Sequence, residues 1–255
     1  MRVSETRRSR LAVVKYGSSV LHDLSSVPAV VADIARQTRR GKQILAVVSA
    51  FLGETDRLLA EAEVLSLGRP NRGAAQLVSL GETRACAALA VACEAAGLRA
   101  SFLDVEALGI IAEGPVEDAT PVAIDASCVA KVLASHDVCL VPGFAALGAD
   151  GRRVLLGRGG SDLSAVFLAG ALGLGEAALV KDVDGVYDRD PAIAGAAARR
   201  LEQLDYAEAL RVAGKLVQAR AVLYAQNKSI AIKVRRLDAD RATVIGAATE
   251  RALAV

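Results

Sequence analysis

Leu11-Ala12-Val13-Val14 is an unbroken apolar run that closes on Lys15-Tyr16-Gly17-Ser18-Ser19. A short continuous run of this kind reads as a strand buried on both faces, with the polar residues after it as a turn. Val27, Val30, Val31 and Ile34 then recur at helical spacing, and Gly41 supplies the stop. Ile44 to Val48 is the next apolar run, ended by Ser49. Strand, turn, helix and strand in that order form a βαβ unit, the signature of a parallel sheet.

The alternation continues outward from this unit. Helical patterns cover Thr55 to Leu65 and Ala74 to Ala96, parted by the breaker-rich Gly68-Arg69-Pro70-Asn71-Arg72-Gly73. Further strands are expected at Ser101 to Val105, Val138 to Val141, Val154 to Leu156, Ala177 to Val180 and, last, Ile230 to Val234. Further helices are expected at Ser127 to Leu133, Leu163 to Leu172, Tyr206 to Val212 and Leu216 to Ala225. The stretch from Val138 to Leu156 looks hairpin-like. Residues 1–10, with Arg2, Arg7, Arg8 and Arg10, read as a flexible solvated arm, and 11–255 as a single domain. The expected fold is α/β, with a mainly parallel sheet between helices on both faces.

Composition narrows the function. With 53% apolar residues in 255, the chain can bury a sizeable core. A net charge of +2, from 31 basic and 29 acidic residues, leaves no nucleic-acid footprint, and 3% aromatics offer little for base stacking. Cys86, Cys93, Cys128 and Cys139 show no metal spacing, and no protein-held metal site is expected. No signal peptide or membrane-length apolar run is visible, so a cytoplasmic location is expected.

In open α/β sheets, ligands bind outside the carboxyl ends of the strands. Four polar clusters fall there: Lys15 to Ser19, Ser49 to Thr55, Leu156 to Asp162 and Lys181 to Tyr187. The third, Leu156-Gly157-Arg158-Gly159-Gly160-Ser161-Asp162, is a glycine-rich turn between strand and helix. Such a turn bares amides to an anion, and Arg158 is suited to grip a carboxylate or phosphate. There is no GxxxxGK[ST], and no GxGxxG in a first βα turn. His22 and His136 sit near a turn and in a loop, poor places for a catalytic base. Lysine, arginine, glycine amides and aspartate remain, a set suited to phosphoryl transfer, where positioning and charge neutralisation dominate.

These clusters, with others in the same order, resemble the amino acid kinase family, in particular its aspartate kinase branch. The matching segments are Val47 to Leu59, Ser79-Leu80-Gly81-Glu82, Leu156 to Asp162, Lys181 to Tyr187 with Asp190-Pro191, and Gly214-Lys215 with Gln218 to Ala221. The resemblance runs from about Leu11 to Val234. It implies a three-layer αβα sandwich of amino-acid-kinase type, with an amino-acid lobe at about 11–150 and a nucleotide lobe at about 151–255. It also implies catalytic roles for Lys15 and Asp162, and an amino-acid pocket made by Ser49, Thr55, Glu82, Arg158, Gly159, Gly160 and Ser161. The implied nucleotide site holds Lys15, Gly17, Ser18, Lys181, Asp182, Tyr187, Arg189 and Lys215, with ATP and Mg²⁺ as cofactors. A homo-oligomer, such as a dimer, is the implied assembly.

The implied reaction is ATP-dependent phosphorylation of L-aspartate on its side-chain carboxylate. The alternatives are another small acid such as glutamate on the same fold, or a non-catalytic nucleotide-binding subunit. Three departures bear on the choice. Ser18 stands where the branch carries a second glycine, in a first turn closer to that of the glutamate 5-kinase branch. Lys181 replaces a threonine, and no C-terminal regulatory domains of ACT type, nor feedback control through them, are expected. The segment Ile111 to Thr120 also lacks the usual Thr/Asp-rich substrate loop.

Overall fold

The computed structural model describes residues 10–69, 72–189, 193, 198–214 and 216–247. Its first strand, β1 (Leu11–Tyr16), runs two residues past the apolar stretch, so Lys15 and Tyr16 are strand residues and the turn begins at Gly17. Then follow α1 (Val27–Arg39), β2 (Gln43–Val48), α2 (Glu54–Ser66), α3 (Arg72–Ala95), β3 (Ala100–Phe102) and α4 (Val105–Leu108). Next are β4 (Ile111–Glu113), β5 (Thr120–Ala123), α5 (Ser127–Leu133), β6 (Val138–Pro142), β7 (Ala145–Leu147) and β8 (Arg153–Leu155). After these come α6 (Gly160–Ala171), β9 (Glu176–Lys181), β10 (Val186–Tyr187), β11 (Arg200–Leu201) and β12 (Gln203–Asp205). The last elements are α7 (Tyr206–Val212), α8 (Ala219–Lys228), β13 (Ala231–Arg236) and β14 (Ala242–Gly246).

Eight strands form the main sheet in the order β12-β14-β13-β9-β1-β2-β6-β3. Every neighbouring pair is parallel except β13 with β14. Successive side chains of a strand point to opposite faces, so each apolar strand feeds two cores. Val13, Leu45, Val47, Cys139 and Leu179 meet the buried side chains of α6 and α8. Val14, Ile44, Ala46 and Val48 meet α1 and α3 on the other side. The result is the expected three-layer α/β sandwich.

The same alternation sorts the two polar residues that end β1. Lys15 faces α6 and Tyr16 the opposite layer, where its hydroxyl donates to Asp33 at 2.9 Å. Asp33, fully buried on α1, also accepts a two-pronged contact from Arg235 of β13 at 3.0 and 2.7 Å.

Several expected boundaries move. The strand expected at Ser101 to Val105 stops at Phe102, because Asp104 accepts from the Ala107 amide at 2.8 Å and caps α4 from Val105 onward. The helix expected from Leu216 starts at Ala219, after a turn and the extended Gln218. The hairpin-like stretch divides: β6 joins the main sheet, while β7 and β8 pair antiparallel in a second sheet of order β5-β4-β7-β8. Ile230 to Val234 is not the last strand, since β14 follows and joins β12 to β13. The arm residues Met1 to Ser9, together with Lys215 and Asp190-Pro191, lie outside the described residues.

Candidate active site

At the carboxyl end of the sheet lies a cleft of about 600 Å³, walled by residues from all four polar clusters. Its floor is an ionic triad. Lys15 Nζ stands 2.8 Å from Asp162 Oδ1, and Lys181 Nζ stands 3.1 Å from Asp162 Oδ2. β1 and β9 are neighbours, so Lys15 near the end of one and Lys181 at the end of the other rise on the same face, with the first turn of α6 placing Asp162 between them. All three are buried. Burial alone would raise the Asp162 carboxyl, but Lys15 and Lys181 outweigh it and hold the group below the usual aspartate range. Lys181 moves down, first through burial and then through the charge of Lys15, with Asp162 opposing. Two ammonium groups on one carboxylate leave net positive charge facing the cleft, which suits a polyanion.

Close packing fixes this floor. A Cβ on Gly17 would stand 2.5 Å from Lys15 Nζ, so the lysine arches over a residue with no side chain. A Cβ on Gly143, just beyond β6, would lie 2.8 Å from both Ser161 Cβ and Val47 Cγ1. That glycine lets α6 begin directly against the sheet. Ser18, the departure in the first turn, lines the cleft and is half-buried without a left-handed backbone.

The other side of the cleft faces α2 and α3. Glu82, on α3, is buried, and its Oε2 has no hydrogen-bond partner among the described residues. Burial pushes its carboxyl up to about 8, against the pull of the Phe144 amide, Lys15, the Ser161 hydroxyl and the Ala50 amide. A buried, unpaired carboxyl oxygen in a cleft wall is incomplete without a donor. Opposite polarity comes from Arg158, exposed in the cleft with no ion pair among the described residues. Ser49 and Thr55, both half-buried, line the same cavity.

Of the expected site residues that are described, all line the cleft except Gly17, which sits beneath Lys15, and Tyr187 and Arg189. The Tyr187 hydroxyl donates to Asp184 at 2.6 Å, and Arg189 is exposed near Asp188, at 3.7 Å. The structure adds Ser19, Glu117 and Gln218 to the wall. Ser19 Oγ is a second buried polar atom in the wall without a hydrogen-bond partner among the described residues. It adjoins Ser18 in the first turn, which was the available signal. Glu117 and Gln218 reach the cleft from outside the four polar clusters, Gln218 from the family-like segment Gln218 to Ala221. Among the described residues no group of three or more His, Cys, Asp or Glu could hold a metal ion, and no helix is long and apolar enough to cross a membrane.

The sheet order and the cleft at its carboxyl end define a three-layer α/β protein whose cleft floor carries net positive charge. The sequence profile of the amino acid kinase family matches residues 10–235, and the chain belongs to that family. It is 35% identical over 228 residues to an aspartokinase of Helicobacter pylori, covering 88% of this chain and 56% of that one. It is 33% identical over 235 residues to an aspartokinase of Mycobacterium tuberculosis, covering 91% and 56%. The aspartate kinase of Synechocystis superposes with a TM-score of 0.79 at 28% identity, over 93% of this chain and 40% of that one. The chain thus spans about half the length of the curated relatives it matches.

Proposed function

We propose that this chain catalyses ATP-dependent phosphorylation of the side-chain carboxylate of an amino acid, with L-aspartate as acceptor and 4-phospho-L-aspartate as product. The observation that carries this reading is the Lys15–Asp162–Lys181 triad on the floor of the cleft that Arg158 and Glu82 line. A zwitterion needs opposite charges at its two ends. Arg158 would take the α-carboxylate, and Glu82, once ionised, the α-ammonium group. Ser49, Thr55 and Ser161 would complete the pocket, and Gly159 and Gly160 would let the acceptor approach the turn.

ATP would lie over the first turn and the end of β9, with Lys181 and Asp182 in the wall beside it. The acceptor carboxylate is ionised at neutral pH, so it attacks the γ-phosphoryl group without a general base. Lys15 would stabilise negative charge on the transferring phosphoryl oxygens, while Asp162 holds both lysines at the floor. The cation-rich floor and the Ser19 hydroxyl, without a partner among the described residues, fit phosphate oxygens, and Mg²⁺ carried on the ATP phosphates would add charge neutralisation. In this reading residues from about 11 to 150 supply Ser49, Thr55 and Glu82 of the acceptor pocket, the glycine turn from Arg158 to Ser161 completes it, and residues from about 151 onward supply most of the nucleotide pocket.

Acceptor-dependent ADP release with MgATP across aspartate, glutamate and close analogues tests the reading, with hydroxylamine trapping any acyl phosphate. Hydroxamate from aspartate alone supports both reaction and acceptor. Hydroxamate from another acid keeps the reaction and replaces the acceptor. ATP binding with no product from any acid favours the non-catalytic alternative.

A further inference from the structure

The turn that carries Arg158 is held from outside the cleft by one side chain, Arg220 of α8. Its Nη1 donates to Asp118 Oδ1 at 2.6 Å and to the Leu156 carbonyl at 2.7 Å. Its Nη2 donates to the Ala119 carbonyl and to Thr120 Oγ1, both at 2.9 Å. These partners lie 64 to 102 residues away in the chain, so the guanidinium joins α8, the β4–β5 loop and the residue just before the glycine turn. The loop and β8 are stitched together independently, by the Ala119 amide to the Leu155 carbonyl at 2.9 Å and the Leu155 amide to the Val116 carbonyl.

The glycines on either side of Arg158 are shaped to this clip. Gly157 has φ +70°, and a Cβ there would stand 1.9 Å from Asp118 Oδ1 and 3.1 Å from Arg220 Nη1. Gly159 has φ +78°, and a Cβ there would stand 1.9 Å from Cγ of Gln218, two residues before Arg220. Both flanking residues are therefore left-handed and pressed against the start of α8 or its partner. Arg158 projects between them into the cleft, and its aim is set by that backbone.

We propose that Arg220 is a positioning residue that fixes the aim of Arg158 by clamping the Gly157–Gly159 turn to α8 and to the β4–β5 loop. The inference rests on the reading of Arg158 as the grip on the acceptor's carboxylate. The Asp118 end of the clip is mostly exposed, so the ion pair itself contributes little stability. The effect of losing Arg220 falls on geometry. Lysine does not replace it, because a point charge cannot donate along four directions in one plane.

The test is a double-mutant cycle with L-aspartate and MgATP, with thermal melting of each variant. Arg158→Ala and Arg220→Ala should each raise the aspartate KM by about tenfold or more, the worth of a charged hydrogen bond. The ATP KM should stay within about twofold, since the clip acts on acceptor binding alone. Arg220→Lys should retain most of the loss, and Arg158→Ala/Arg220→Ala should be no worse than Arg158→Ala alone. If Arg158→Ala leaves the aspartate KM unchanged, the reading of Arg158 fails and the inference falls with it. If Arg158→Ala raises KM but Arg220→Ala does not, or the two losses multiply, the positioning role alone is overturned. A loss that tracks a lower melting temperature and affects both substrates equally would mark Arg220 as merely structural.

Discussion

Single residues set the chemistry of this cleft through what surrounds them. Gly17 is an example: an added methyl group meets the mobile end of Lys15, and backbone is not involved. Gly17→Ala should therefore leave the melting temperature nearly unchanged while lowering kcat by about tenfold or more, the scale of a misplaced charge-stabilising group. Equal losses in stability and rate would show that the turn itself had been disturbed. Glu82 makes a different prediction. With its carboxyl raised to about 8, the unliganded protein at neutral pH holds it protonated, and only the ionised form can pair with an ammonium group. The aspartate KM should fall as pH rises toward about 8, and Glu82→Gln should flatten that dependence, raising KM most at the alkaline end. Lys15, Asp162 and Arg158 were legible in the sequence because each sits in a polar cluster, and Glu82 only through the family-like segment Ser79-Leu80-Gly81-Glu82. Arg220 was legible only as part of a motif, because its partners come from a loop about a hundred residues earlier.

At the scale of elements, order came from apolar pattern and boundaries from capping. The long parallel strands were readable because residues buried on both faces leave unbroken apolar runs. The three- and four-residue strands of the second sheet were not, because such lengths carry almost no periodicity. β14 was missed for a similar reason: Thr243 interrupts its apolar sequence, yet that residue is fully buried, where its hydroxyl accepts from the Val186 amide at 2.8 Å. The polar pair Asp33–Arg235 ties α1 to β13 on the layer away from the cleft. Asp33→Ala would strand a buried guanidinium and should cost about 3–5 kcal/mol in urea unfolding. A cost below about 1 kcal/mol would mean that water or Asp240 takes over the charge. Gly159→Ala should destabilise by about 1–3 kcal/mol, since alanine must adopt a left-handed backbone against Gln218.

Over the whole molecule, the carboxyl proposed to hold the acceptor's ammonium group also links stability to pH. The folded-state value of Glu82 lies above its ordinary 4.5, so between about 4.5 and about 8 the folded state keeps a proton the unfolded chain has lost. Its contribution therefore makes stability fall as pH rises through that window. Asp162 works in the opposite sense at the acid end: held low by the two lysines after burial is overcome, it stabilises the fold above about 3.8, and this is lost on further acidification. Melting temperature should decline from pH 6 to pH 8, and Glu82→Gln should remove most of that decline.

In the proposed function the buried triad stabilises the phosphoryl group as it passes to a carboxylate. The most direct test of that role is the rate of aspartyl hydroxamate formation from MgATP, aspartate and hydroxylamine in the native chain and in Lys15→Met, with folding checked by circular dichroism. The native chain should form hydroxamate, and Lys15→Met should fold, bind ATP and lose at least about 100-fold in rate, the scale of a removed charge-stabilising donor. A folded Lys15→Met variant that forms hydroxamate at the native rate would contradict the account.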